Sequence, residues 1–162
     1  MIPTTTSLKR KSTLNSFGEG CSVASDSARD VDLSALPGFA AEFAARLRPG
    51  DAVALHGDLG AGKTTLVRAL VGALHGDDAA VSSPTFVFRQ RYAGTPPVEH
   101  LDLYRIDDPA DAAELGLDEA FDAATVTLVE WPEKLPGLLP AGTIHVEIAG
   151  SGEGPRRITV RR

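Results

Sequence analysis

One stretch constrains this chain more than any other: Gly57-Asp58-Leu59-Gly60-Ala61-Gly62-Lys63-Thr64-Thr65. It reads G-x-x-x-x-G-K-T, the pattern of a phosphate-binding P-loop. The flanks suit that reading. Ala52-Val53-Ala54-Leu55 is a short apolar run of the kind that forms a buried strand. Leu66, Leu70, Ala73 and Leu74 recur at helical spacing after it. A strand that turns through glycines into a helix aims backbone N–H groups at a phosphate, and the positive end of the helix dipole adds to the attraction. Asp58, Leu59, Gly60, Ala61, Gly62, Lys63, Thr64 and Thr65 are therefore the expected phosphate cradle. Gly57 and Gly62 allow the tight turn and the close approach. Lys63 is expected at the β- and γ-phosphates and the Thr64 hydroxyl at Mg²⁺. After residue 11 every positive charge is arginine except Lys63 and Lys134, so a compact ammonium at this place has a chemical reason.

At 162 residues the chain is long enough for one domain with a real core. Its formal net charge of −6 argues against a protein that grips nucleic acid by itself. A local basic strip around Arg156, Arg157, Arg161 and Arg162 is the exception to examine. The single cysteine, Cys21, has no internal partner and makes no metal cluster, which fits a reducing, cytoplasmic setting. No apolar run approaches membrane-spanning length, and no apolar segment follows Lys9-Arg10-Lys11 as a secretory signal would need.

Residues 1–29 are rich in Ser, Thr and Gly without hydrophobic periodicity and read as a flexible tail, leaving 30–162 as the folded domain. Ser34 reads as a helix N-cap, with Phe39, Phe43 and Leu47 on one face and Pro49-Gly50 as the stop. Beyond the P-loop helix, 81–92 and 98–105 read as an antiparallel pair of strands. In the second, Leu101 and Leu103 face one way, and His100, Asp102 and Tyr104 the other. Pro109 opens a short helix or two reaching about Phe121. Thr125 to Val129 is a β-branched apolar run that ends in Glu130-Trp131-Pro132, and 143–148 and 156–160 read as closing strands. The pattern predicts an α/β fold: a three-layer, P-loop NTPase-like mixed sheet flanked by helices, with an antiparallel hairpin.

A nucleotide hydrolase of this kind needs carboxylates near Mg²⁺ and a group that orients the attacking water. Glu130, at the end of an apolar strand, is the first candidate for both tasks. Asp102 is the second, against the alternative of a structural salt bridge to Arg105 or Arg89. Thr85, after Ser83-Pro84, is either a γ-phosphate-sensing threonine or an ordinary loop threonine. Trp131, taken alone, reads as core or interface. His56, His75 and His145 carry no assigned role. The only asparagine is Asn15, which excludes an Asn-Lys-x-Asp guanine reader and leaves ATP as the expected nucleotide. Two other functions compete. A small-molecule kinase needs an arginine-bearing lid, for which there is no insertion. A nucleotide-dependent interaction module would need little turnover.

Gly57 to Thr65, Ser83-Pro84-Thr85-Phe86, His100-Leu101-Asp102-Leu103-Tyr104-Arg105 and Glu130-Trp131-Pro132 together resemble the TsaE (YjeE) family of small bacterial ATPases, in order and in approximate spacing. The resemblance spans roughly 33–160. It implies that Lys63 and Thr64 bind phosphate and Mg²⁺, that Thr85 is switch-like, that Asp102 and Glu130 are acids near metal and water, and that Trp131 lies by the nucleotide. It further implies a weak ATPase that acts with the TsaD–TsaB pair in making N6-threonylcarbamoyladenosine, meeting tRNA only through that complex. The long Ser-rich N-terminus departs from the compact family pattern.

Overall fold

The computed structural model describes residues 27–76, 81 and 88–162. Seven strands form a single mixed sheet in the order β1-β7-β6-β2-β5-β4-β3. They are β1 (Ser27–Val31), β2 (Ala52–His56), β3 (Arg89–Tyr92), β4 (Val98–Asp102), β5 (Val126–Glu130), β6 (Ile144–Ala149) and β7 (Arg156–Arg161). The centre is parallel: β2 lies between β5 and β6, and β4 joins β5. Both margins are antiparallel, β3 on β4 at one side and β6-β7-β1 at the other. Fully buried Val53, Ala54 and Leu55 explain why the P-loop strand reads as an unbroken apolar run.

Helices α1 (Leu36–Ala44) and α2 (Lys63–His75) cover one face. Phe43, Leu66, Leu70, Val53, Leu55, Val126 and Leu128 meet in the core between them and the sheet. A smaller core on the other face joins Leu101, Leu103, Val129 and Leu135 to Leu117 and Ala120. These last two lie in a 3₁₀ turn after α3 (Pro109–Glu114), where the Asp108 side chain accepts from the Ala110 N–H as the N-cap. The alternation along β4 and β5 has a direct consequence. Val98, Val126 and Leu128 belong to the α2 side, so His100, Asp102 and Glu130, which share their parity, point to that side too.

The expected α/β architecture is present, with local differences. Ser27–Arg29, assigned to the tail from sequence, pair with β7, so the sheet begins three residues before the expected boundary. Short-range composition could not show this, because β1 is held by a partner more than a hundred residues away. Ser34 is not the cap of α1. Asp32 is the anchor: its Oδ1 accepts from the Ser34 hydroxyl at 2.7 Å and from the Ala35 N–H at 2.8 Å. These two bonds hold the Asp32 carboxyl below its ordinary pKa, the Ser34 bond contributing most. The helix ends at Ala44, before Pro49-Gly50. The basic strip is neutralised largely residue by residue. Arg157 pairs with Asp30 at 3.1 Å, Arg161 with Glu147 at 3.0 Å, and Arg162 with Asp51.

Candidate functional site

The residue following β2 is Gly57, at φ +146°, where an added Cβ would lie 2.5 Å from the Ile148 carbonyl oxygen on β6. Only glycine fits there. The loop then turns through Gly60 and Gly62, both at positive φ, and Lys63 opens α2. The expected cradle thus stands between a buried strand and a helix N-terminus. A cleft of about 350 Å³ lies over it, lined by Leu59, Gly60, Gly62, Lys63, Thr64, Thr65, Asp102, Tyr104, Glu130 and Trp131. Asp58 borders the loop through its carbonyl, and Ala61 is buried beneath it.

Lys63 donates to the carbonyl oxygens of Gly57 at 2.6 Å and Asp58 at 3.0 Å. Its ammonium also lies 3.6 Å from the centroid of the Trp131 ring. Burial pulls its pKa below the ordinary lysine value; Glu130, Glu133, Asp102 and Asp58 pull the other way. Trp131 takes a left-handed backbone at φ +58°, a costly conformation for a bulky residue and one that clusters at functional sites. Tyr104 leans on it, with ring centroids 4.9 Å apart.

Thr64 Oγ1 donates to the Glu130 carboxylate, 2.8 and 3.0 Å from its two oxygens. Glu130 is 2% exposed. It also accepts from His100 Nε2 at 2.9 Å. Asp102 is the register partner of Glu130 across β4 and β5 and lines the same cleft. Its Oδ1 accepts from the Tyr104 N–H at 3.1 Å. Arg89, weighed above as its partner, goes elsewhere. With Arg91 it meets Glu99, which is 1% exposed, and the hydrogen bond to Glu99 raises the Arg89 pKa. Thr85 lies outside the described residues.

The structure also assembles parts that sequence reading did not assign. A second cavity of about 410 Å³ adjoins the first, sharing Gly62 and Thr65. Leu33, Leu36 and Leu66 give it apolar walls, and Glu153 and Gly154 close one end. Arg156 lines it and ties it to the P-loop, donating to the carbonyls of Ala61 at 3.0 Å and Gly152 at 2.7 Å. A basic residue in a closing strand gives no local sign of such a bond. The sequence places His100 in the polar row of Asp102 but gives it no role of its own.

The family model described as threonylcarbamoyl adenosine biosynthesis protein TsaE matches residues 31–158. The protein named tRNA threonylcarbamoyladenosine biosynthesis protein TsaE from Rickettsia bellii is 43% identical over 112 residues, covering 68% of this chain and 76% of that one. Its namesake from Bacillus subtilis is 41% identical over 117 residues, 72% of each. The crystal structure of Bacillus subtilis YdiB superposes with a TM-score of 0.65 at 31% identity, over 84% of this chain and 86% of the other. The P-loop, the acid at the tip of the neighbouring strand and these matches lead to one conclusion: the chain belongs to the TsaE family.

Proposed function

We propose that this protein binds and hydrolyses ATP in the service of tRNA threonylcarbamoyladenosine biosynthesis, working with TsaD and TsaB and meeting tRNA only through them. The observation that carries the hydrolytic reading is the contact between Thr64 Oγ1 and both oxygens of Glu130. It brings the residue after the P-loop lysine and a buried acid to one point.

The donor set there fits Mg²⁺. A hydroxyl and two carboxylates offer only hard oxygen ligands, from Thr64, Glu130 and Asp102. Mg²⁺ completes its shell with water and substrate phosphate oxygens instead of an all-protein cage, and among the described residues no group of three or more His, Cys, Asp or Glu could hold a metal. When bound, the ion neutralises charge that develops on the phosphate oxygens. The chain's own residues do the rest. Loop N–H groups and Lys63 hold the β- and γ-phosphates. Glu130 orients the attacking water. Trp131 and Tyr104 wall the cleft. The second cavity, apolar along Leu33, Leu36 and Leu66, suits the base.

Lys63 is the one cationic side chain lining the phosphate cleft among the described residues. That fits a slow enzyme awaiting an outside cation, since a partner's arginine raises turnover by about 10³–10⁵-fold. The reading is tested by phosphate release from ATP and Mg²⁺, with the protein alone and with TsaD, TsaB and tRNA added. Strong stimulation is expected. Tight ATP binding without stimulation would favour a passive nucleotide switch, and phosphate on a small acceptor would make the protein a kinase.

A further inference from the structure

His100 is fully buried on β4, next to the cleft but outside its lining. Its Nε2 lies 2.9 Å from Glu130 Oε1, while its Nδ1 is buried without a hydrogen-bond partner among the described residues. An ionised carboxylate only accepts, so the contact requires the hydrogen on Nε2. Tyr92 stacks on the ring, with centroids 6.4 Å apart. Leaving a ring nitrogen unmatched in the interior is costly, and an apolar side chain of similar size would avoid that cost. What the imidazole offers over such a side chain is the hydrogen bond of its other nitrogen to Glu130.

The last torsion of a glutamate is broad, so one hydrogen bond does not fix the carboxylate plane. The Thr64 hydroxyl has a single hydrogen, shared between Oε1 and Oε2 at 2.8 and 3.0 Å. A second donor on Oε1 alone removes the ambiguity. We propose that His100 is a positioning residue: its Nε2–H fixes the Glu130 carboxylate so that Oε2 is presented toward the reacting water. This rests on the hydrolytic reading above. Supporting hydrogen bonds of this kind, behind the groups that touch the chemistry, are worth about 10–100-fold in activity at metal sites.

The test compares wild type with His100→Phe, which keeps the stack on Tyr92 without the donor, and His100→Gln, which keeps an N–H. In His100→Phe, kcat is expected to fall about 10–100-fold, with ATP affinity unchanged. His100→Gln should recover a substantial part. Unchanged kcat in His100→Phe overturns the inference alone. So does equal loss in both variants with affinity falling in parallel, which marks a merely structural role. Wild-type protein that neither binds nor hydrolyses ATP overturns the hydrolytic reading and this inference with it. Nitrogen NMR of the unliganded wild type gives an answer that needs no variant to fold. The His100 ring should carry its hydrogen on Nε2, protected from exchange, and Glu130→Gln should shift that signal. A hydrogen on Nδ1 alone overturns the assignment.

Discussion

The Lys63 ammonium stands 3.6 Å from the centre of the Trp131 ring while bound to two carbonyls of its own loop. A phosphate must compete with all three contacts for the same charge. Trp131 is the only tryptophan in the chain, so its emission reports that competition directly. ATP is expected to change the fluorescence. Lys63→Ala should abolish both the change and the binding, because it removes the counter-charge to the β- and γ-phosphates; unchanged affinity would refute the P-loop assignment. Trp131→Ala should alter ATP affinity by roughly 2–30-fold, the worth of a cation–π contact of about 0.5–2 kcal/mol. Isothermal titration against wild type checks the size.

Glu130→Gln should leave ATP bound and lower hydrolysis by about 10²–10⁴-fold, because water activation is a transition-state task. The amide keeps an acceptor for His100 and a partner for Thr64. Glu130→Ala removes both, and leaving buried donors unmatched costs about 1–3 kcal/mol. The alanine variant should therefore melt below the glutamine variant, while both lose turnover. Equal melting points would mean that water enters and satisfies the two donors.

What was legible in the sequence had local causes. The P-loop glycines, the apolar run of β2 and the abrupt end of β5 at Glu130 each encode their place in the fold within a few residues. The parity of His100 and Asp102 on β4 was legible as well, and it turned both toward the P-loop helix. What could not be read depends on distant partners. β1 exists because Ser27–Val31 find β7. The second cavity forms because Leu33 and Arg156, far apart in the chain, meet beside Ala61 and Gly62. Glu99 is buried because Arg89 and Arg91 reach it across the β3-β4 pair, although Arg89 was also open to Asp102 on paper. Local Ser/Asp chemistry misled at α1, where Asp32 takes the anchoring role and Ser34 donates to it.

The glycines of the loop separate two kinds of constraint. At Gly60 (φ +81°) an added Cβ meets nothing within 4 Å, so Gly60→Ala bears only the left-handed backbone cost of about 1–2 kcal/mol. At Gly57 (φ +146°) the same Cβ strikes the Ile148 carbonyl at 2.5 Å, and that oxygen belongs to a central strand. Gly57→Ala should cost at least about 2 kcal/mol more than Gly60→Ala, in the range of severe single substitutions. Urea unfolding of the two variants decides it. Equal losses would mean that β6 yields at Ile148.

His56 supplies a pH dependence with a definite sign. It ends β2, and its Nε2 lies 2.9 Å from His145 Nδ1, the two rings stacked with centroids 5.2 Å apart. Burial, and next the neighbouring His145, pull its pKa below the ordinary histidine value; Glu133 and Glu147 oppose them. In the unfolded chain the imidazole takes its proton near about pH 6.5. The folded protein refuses that proton until the pH is lower. Between the two, the unfolded state holds more protons, so stability is lost as pH falls below about 6.5, and above it the group contributes no slope. One such group changes stability by at most about 1.4 kcal/mol per pH unit. Denaturant unfolding between about pH 7.5 and 5.5 should show a steeper acid loss in wild type than in His56→Gln, which cannot titrate. A wild-type curve flatter than that of the variant would mean that the pair welcomes the proton, with Glu133 and Glu147 outweighing burial.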